Sequence, residues 1–141
     1  MESLHPMLVH VPISLALIWP LVDLAGLISR RPDVSATGLG LLGLAVPASL
    51  AASVTGQAAY DVALARGVGG QILDGHAEYA ELLPWFLILV LLVRTLGVKK
   101  FGPRARFVAV ALGLAIGGFV VLIGSTGGDL VFTHGVGVAQ R

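Results

Sequence analysis

Cysteine is absent from this chain of 141 residues, and charged residues make up only 12% of it. The missing thiols exclude disulfides, thiolate metal sites and a cysteine nucleophile. So few charges leave no basic surface for nucleic acid, and no glycine-rich loop is followed by the Lys-Ser/Thr of a phosphate-binding loop. The four histidines, at positions 5, 10, 76 and 134, are therefore the side chains best suited to hold a cofactor.

What the chain has in excess is apolar sequence. Hydrophobic residues make up 56% of it, and its mean hydropathy is +0.92. The apolar residues form four long segments without strand-like alternation, each close to the roughly 20 residues that a spanning helix needs. We predict an all-α integral membrane protein, a single domain of residues 1–141 built as a bundle of four transmembrane helices. The predicted helices cover about 7–29, 37–59, 77–97 and 105–131. The first segment lacks a basic leader, so we interpret it as a retained helix.

The basic residues predict the orientation. Seven of the nine lie in or beside the first and third connections: Arg30, Arg31, Arg94, Lys99, Lys100, Arg104 and Arg106. Basic residues are retained on the cytoplasmic side of a membrane. We therefore predict a multi-pass protein of the bacterial cytoplasmic (inner) membrane with both termini outside, and with all four histidines on the extracytoplasmic face.

Short inner connections predict two antiparallel hairpins, and the two hairpins resemble each other in sequence. The second helix ends in Thr55-Gly56 and the fourth in Thr126-Gly127. Thr55 follows His10 by 45 residues, and Thr126 follows His76 by 50. Such a repeat predicts a pseudo-twofold axis normal to the membrane. We expect both Thr-Gly pairs at matching outer helix ends, where glycine allows close approach and the hydroxyl bonds to the preceding turn or to a histidine.

Each histidine has its own setting. His10 is flanked by apolar residues at the mouth of the first helix, so its imidazole is expected to face the bundle or a cavity. His76 follows Asp74-Gly75, a predicted N-cap, and the positive end of the helix dipole favours the neutral imidazole. His5 lies about 140° around the helix from His10, so the two do not bind one group from the same side.

Two-histidine ligation of haem iron by facing helices in an apolar bundle suits these residues. Our first hypothesis is a membrane b-type cytochrome-like electron-transfer protein that binds one or two haems b. We place His10 and His76 as the first axial pair and His5 with His134 as the second. Pairing of His10 with His134, or of His5 with His76, stays open, because sequence does not determine the rotation of the helices.

Two alternatives stay open beside the haem hypothesis. The four histidines could bind a bare divalent metal with help from an acid such as Asp61, Glu78 or Asp129. A cofactor-free membrane subunit could instead anchor or assemble a redox partner. Asp23 is the one acid inside an apolar segment, and it indicates a transporter, the capping of a helix kinked near Pro20, or a hydrogen bond to a neighbouring helix.

Three motifs carry a resemblance to a known family. They are His5-Pro6-Met7-Leu8-Val9-His10-Val11-Pro12, Thr55-Gly56, and the segment from Thr126-Gly127-Gly128-Asp129 to Val138. Together they resemble the bacterial membrane family called domain of unknown function 2231, over nearly the whole chain. The resemblance implies four helices and an association with Rieske iron–sulfur domains. Because this chain has no cysteine, a Rieske-type or other extracytoplasmic redox partner would be a separate polypeptide; a homodimer is a further candidate. The start of the chain is also similar, more weakly, to transmembrane cytochromes b of the ascorbate-reducing type.

Overall fold

The computed structural model describes residues 4–137 and is helical throughout, with no strand in that range. Four helices are long and apolar enough to cross a membrane: α1 (Leu4–Ile28), α2 (Pro32–Ala65), α3 (Gly70–Phe101) and α4 (Arg104–Phe132). The prediction of an all-helical chain with four such helices is confirmed.

The helices are longer than predicted at the second connection. α2 continues to Ala65 and α3 begins at Gly70, so only residues 66–69 connect them. The connection predicted between residues 59 and 77 is therefore too long, because the stretch after Gln57 is rich in alanine, which favours helix. Gly69, with extended backbone, precedes α3. Asp74 and Gly75 consequently lie inside the helix, and the predicted cap there is wrong.

Two local irregularities leave the helices continuous. In α1, Val9 separates Leu4–Leu8 from His10–Ile28, yet its N–H donates to the His5 carbonyl and its carbonyl accepts from the Ile13 N–H. In α3, the α-helix Gly70–Leu92 passes into one π-helical turn, Val93–Gly97, before ending at Phe101. A π-turn accommodates an extra residue and often occurs at functional positions.

The four helices form a closed ring. Each packs against its neighbours along the chain, and α4 packs back against α1. α1 and α3 therefore lie diagonally across the bundle. We call the end that carries His5, Thr55, His76 and Thr126 the histidine end, and the end that carries Arg30, Arg31, Lys99 and Lys100 the basic end.

A step of 71 residues aligns nine buried positions of the first hairpin with buried positions of the second. Asp23 and Arg94, which are in contact, are separated by this same interval. The matching buried pairs are Pro12/Leu83, Ala16/Leu87, Trp19/Val90, Asp23/Arg94, Gly38/Ala109, Leu42/Gly113, Ala45/Ile116, Ser49/Val120 and Ala52/Ile123. Residues buried at equivalent positions of two hairpins indicate a pseudo-twofold axis through the core.

Size differences between equivalent positions are compensated across this core. Trp19 is fully buried, and its ring packs directly on Gly113, where a Cβ would clash with it. The equivalents of these two residues reverse the sizes, with Val90 for the tryptophan and Leu42 for the glycine. Within the first hairpin, a Cβ on Gly38 would lie 2.7 Å from the backbone nitrogen of Asp23, so α1 and α2 approach closely there.

Candidate functional site

His5 is bound to the end of the neighbouring helix. It lies in the first turn of α1, half-buried, and its Nδ1 is 3.2 Å from the hydroxyl oxygen of Thr55 on α2. The Thr55 hydroxyl in turn donates to the carbonyls of Ala51 and Ala52, at 3.0 Å from each. The side chain of Thr55 thus links the imidazole to the last turns of α2.

His76 repeats this arrangement in the second hairpin. Its half-buried imidazole, on α3, places Nδ1 at 3.1 Å from the hydroxyl oxygen of Thr126 on α4. The Thr126 hydroxyl donates to the carbonyl of Ile123 at 3.0 Å. In both hairpins, 50 residues separate the histidine from its threonine.

The threonine hydroxyls are placed to favour one tautomer of both imidazoles. A threonine hydroxyl has one proton, and backbone carbonyls lie within hydrogen-bond distance of the Thr55 and Thr126 hydroxyls. When that proton goes to the carbonyl, the hydroxyl oxygen accepts from the histidine and Nδ1 carries the ring proton. In that tautomer the Nε2 atoms of His5 and His76 keep their lone pairs, which is the form that binds a metal.

A glycine lies beneath each imidazole. An added Cβ on Gly56 would be 3.0 Å from Cε1 of His5, and one on Gly127 would be 3.0 Å from Cε1 of His76. These distances are shorter than ordinary contacts, so any side chain at either position would displace the ring. In each hairpin the threonine therefore binds the histidine, and the glycine leaves room for its ring. We call each set of histidine, threonine and glycine a unit; its members come from near the beginning and the end of the hairpin.

The two units face a common centre. His5 is 18 residues from Asp23 on α1, and His76 is 18 residues from Arg94 on α3. Eighteen residues are five helical turns, which bring a side chain back to the same helix face about 27 Å along the axis. Since Asp23 and Arg94 touch across the bundle, His5 and His76 lie on the inward faces of the two diagonal helices.

The other two histidines lie apart from this pair. His10 is exposed, and the residue equivalent to it in the second hairpin is Glu81, so the expectation that it faces the bundle is wrong. His134 is exposed in the turn after α4, with Nε2 3.8 Å from a carboxylate oxygen of Asp129. The inferred match of His10 with His76 is corrected to His5 with His76, since the offset between His5 and Thr55 equals that in the second hairpin.

A cleft of about 370 Å³ opens beside His76 between α3 and α4. Tyr79, Ser125 and Asp129 contribute polar groups to it. Their equivalents in the first hairpin are Leu8, Val54 and Ala58. The surroundings of the two histidines thus differ, polar for His76 and apolar for His5, although the hydrogen bonds of the two rings are the same.

The donor set limits what the site can bind. Among residues 4–137, no group of three or more His, Cys, Asp or Glu side chains is arranged to hold a metal ion. A bare Zn²⁺ or Cu²⁺ site needs three or four protein ligands, so the divalent-metal hypothesis finds no site in that range. Haem iron can be held by two histidines, one on each face of the ring, and two inward-facing imidazoles are side chains of the appropriate chemistry.

A second polar cluster, which the sequence analysis recognised only in part, lies toward the basic end. Arg94 donates from Nε to one carboxylate oxygen of Asp23 at 2.6 Å and from its terminal nitrogen to the other at 3.1 Å. The same terminal nitrogen is 2.9 Å from the hydroxyl oxygen of Ser35, which donates to Asp23. Asp23 is 0%, Ser35 2% and Arg94 5% exposed. Asp23 thus binds another helix, which is one of the interpretations given for it, and its partner would have been identifiable from the 71-residue offset.

Comparison with known proteins gives one family. The family model described as "Predicted membrane protein (DUF2231)" matches residues 1–140. No curated protein and no solved structure shows significant similarity to the chain. The chain therefore belongs to the DUF2231 family of predicted membrane proteins, as the sequence motifs indicated.

Proposed function

We propose that this DUF2231 protein binds one haem b through His5 and His76 and acts as a b-type cytochrome-like electron-transfer protein. The observation that supports the proposal is the matched hydrogen bonding of the two imidazoles. In each hairpin Nδ1 of the histidine bonds to a threonine hydroxyl, and the ring lies on the inward face of one of two diagonal helices. With Nδ1–H as the donor in that bond, Nε2 is the nitrogen available to a metal.

The residues of the site would share the task in a simple way. His5 and His76 would supply the axial nitrogens, and Thr55 and Thr126 would hold the rings in the binding tautomer and orientation. Gly56 and Gly127 let the imidazoles approach the helix ends. The surrounding apolar bundle would exclude water. A haem held by two histidines cycles between ferric and ferrous iron and so passes one electron at a time.

The position of the site at one end of the bundle determines the membrane face at which electrons would be exchanged. The two histidines lie at one end of the bundle, about 27 Å along the helices from the Asp23–Arg94 pair. A haem at that end would exchange electrons along one face of the membrane, with a separate redox protein on the same side. We propose that this is the extracytoplasmic face of a bacterial inner membrane, because the opposite end carries Arg30, Arg31, Lys99 and Lys100.

The test is the visible spectrum of the protein purified in mild detergent after expression with ample haem. We expect a reduced-minus-oxidised difference spectrum of a six-coordinate, low-spin haem in the wild type. H5A and H76A should each abolish or strongly alter it, since one axial ligand is lost. H10A and H134A are matched controls that change a histidine outside the pair, and both should leave the spectrum unchanged.

Each other result has a definite meaning. Loss of the spectrum in H10A but not in H5A would replace the pair by His10 and His76. A colourless wild type that remains monodisperse would overturn the haem proposal and favour the cofactor-free membrane subunit.

A further inference from the structure

The Asp23–Arg94 ion pair joins the two helices that lie diagonally across the bundle. It is fully buried, it is bidentate, and the Ser35 hydroxyl completes it. Charges within a membrane-spanning segment are costly and are usually retained for a purpose. A buried ion pair contributes little net stability compared with an apolar pair, because both charges lose their hydration. The role of this pair is therefore to be found in which helices it brings together, and in which register.

The two charges stand at equivalent positions of the repeat. Asp23 and Arg94 are separated by the 71 residues that also relate His5 to His76 and Thr55 to Thr126. They meet because an equivalent pair on diagonal helices faces the pseudo-twofold axis. Almost every other matched core position holds two apolar or small residues, whereas this one holds opposite charges.

Opposite charges at equivalent positions distinguish the two hairpins. Two copies of the first hairpin, paired in the same way, would place two carboxylates together at the axis. Two copies of the second would place two guanidinium groups together. Both arrangements bury like charges in lipid, and only the unlike pairing is neutral.

We propose that the Asp23–Arg94 ion pair is a pairing-specificity device, which selects the unlike hairpin as partner and sets the register of α1 against α3. The register matters for the histidine end, since His5 and His76 are each 18 residues from the ion pair on the same two helices. In that respect Asp23 and Arg94 are positioning residues for the histidine pair. This last consequence rests on the proposed function; the pairing specificity does not.

The test exchanges the charges in the full chain. D23R places two guanidinium groups at the axis, R94D places two carboxylates there, and D23R/R94D restores an unlike pair in reverse. The reversed pair should be accommodated because the positions are equivalent. The residue equivalent to Ser35 is Arg106, whose Nε is buried and without a hydrogen-bond partner among the described residues.

Helix register can be measured without any cofactor. The chain has no cysteine, so L4C and G75C, at equivalent exposed positions of α1 and α3, accept one spin label each. Pulsed electron spin resonance then measures the distance between α1 and α3 at the histidine end. We expect a single narrow distance in the otherwise unchanged chain, loss of that distance or of monodispersity in D23R and R94D, and recovery of both in D23R/R94D.

A matched control and a neutral variant complete the design. R31D/D33R exchanges the exposed pair at the start of α2, whose side chains are 64% and 63% exposed, and should change nothing. D23N/R94Q removes both charges and should fold, but chains should associate by exchanging hairpins because the discrimination is lost. The proposal fails if D23R/R94D is no better than the single reversals, or if D23N/R94Q stays wholly monomeric with the wild-type distance. Normal distances in a protein without haem would refute only the proposed function.

Discussion

His5 and Thr55 are joined by a hydrogen bond of 3.2 Å across the ends of α1 and α2, and they are 50 residues apart in the chain. The same interval and the same bond recur between His76 and Thr126. The repeat therefore concerns a complete unit of imidazole, hydroxyl and glycine. A unit that is present twice, on diagonal helices, gives the histidine end two equivalent imidazoles.

Without the threonine hydroxyl, the imidazole of its histidine should no longer be held in one tautomer. For T55V and T126V we expect haem affinity to fall by about 10- to 100-fold, the usual effect of losing the group that orients a metal-binding histidine. Haem titration measures the affinity, and nitrogen NMR of the labelled imidazoles reports the tautomer directly. T37V is the control, because the Thr37 hydroxyl donates to the Asp33 carbonyl at the other end of α2. An unchanged tautomer in both variants would contradict the role assigned to the hydroxyls.

A methyl group beneath either imidazole should displace the ring. G56A and G127A would each place a Cβ 3.0 Å from the histidine Cε1, and we expect an altered or weakened haem spectrum. The magnitude should resemble that of the threonine variants, since both changes misplace Nε2. G43A is the control, because a Cβ there meets nothing within 4 Å. Wild-type spectra in both G56A and G127A would show that the close approach is not required.

The core is expected to be most sensitive where Trp19 packs on Gly113. G113A introduces a methyl group into the space of the indole ring, and overpacking of this kind costs on the order of 1–3 kcal/mol. The midpoint of thermal unfolding in detergent should fall accordingly. G118A, on the same helix with open space around it, should instead be neutral or raise stability by up to about 1 kcal/mol, because alanine favours helix over glycine. A G113A protein as stable as G118A would contradict the packing described.

The orientation of the bundle can be tested with reporter fusions at its connections. Fusions after Arg31 and after Gly102 should report the cytoplasmic side, because the basic residues gather there. A fusion after Gly67, between α2 and α3, should report the outside. The expected ratio of activities is large in each case, since a reporter of this type is active on one side only. A cytoplasmic signal at Gly67 would show that the bundle has the opposite orientation, with the histidines on the cytoplasmic side.

The chain's chemistry determined much of this outcome on its own. Long apolar segments require spanning helices in lipid, so four helices and the absence of strands among residues 4–137 followed from composition and segment length. The Thr-Gly pairs were identified as features of the histidine side because the same two residues recur at the ends of the second and fourth helices. Family membership followed from motifs at both ends of the chain.

Tertiary structure alone decided which two histidines occupy equivalent positions in the two hairpins. The spacing of motifs suggested His10 as the equivalent of His76, and the apolar residues that flank His10 favoured it over His5. Helix rotation is set by packing along the whole length of α1, and this packing turns His5 inward and leaves His10 exposed. The contact between Asp23 and Arg94 was not predicted, for the same reason. Two residues 71 positions apart come together only when both hairpins are folded and related by a common axis.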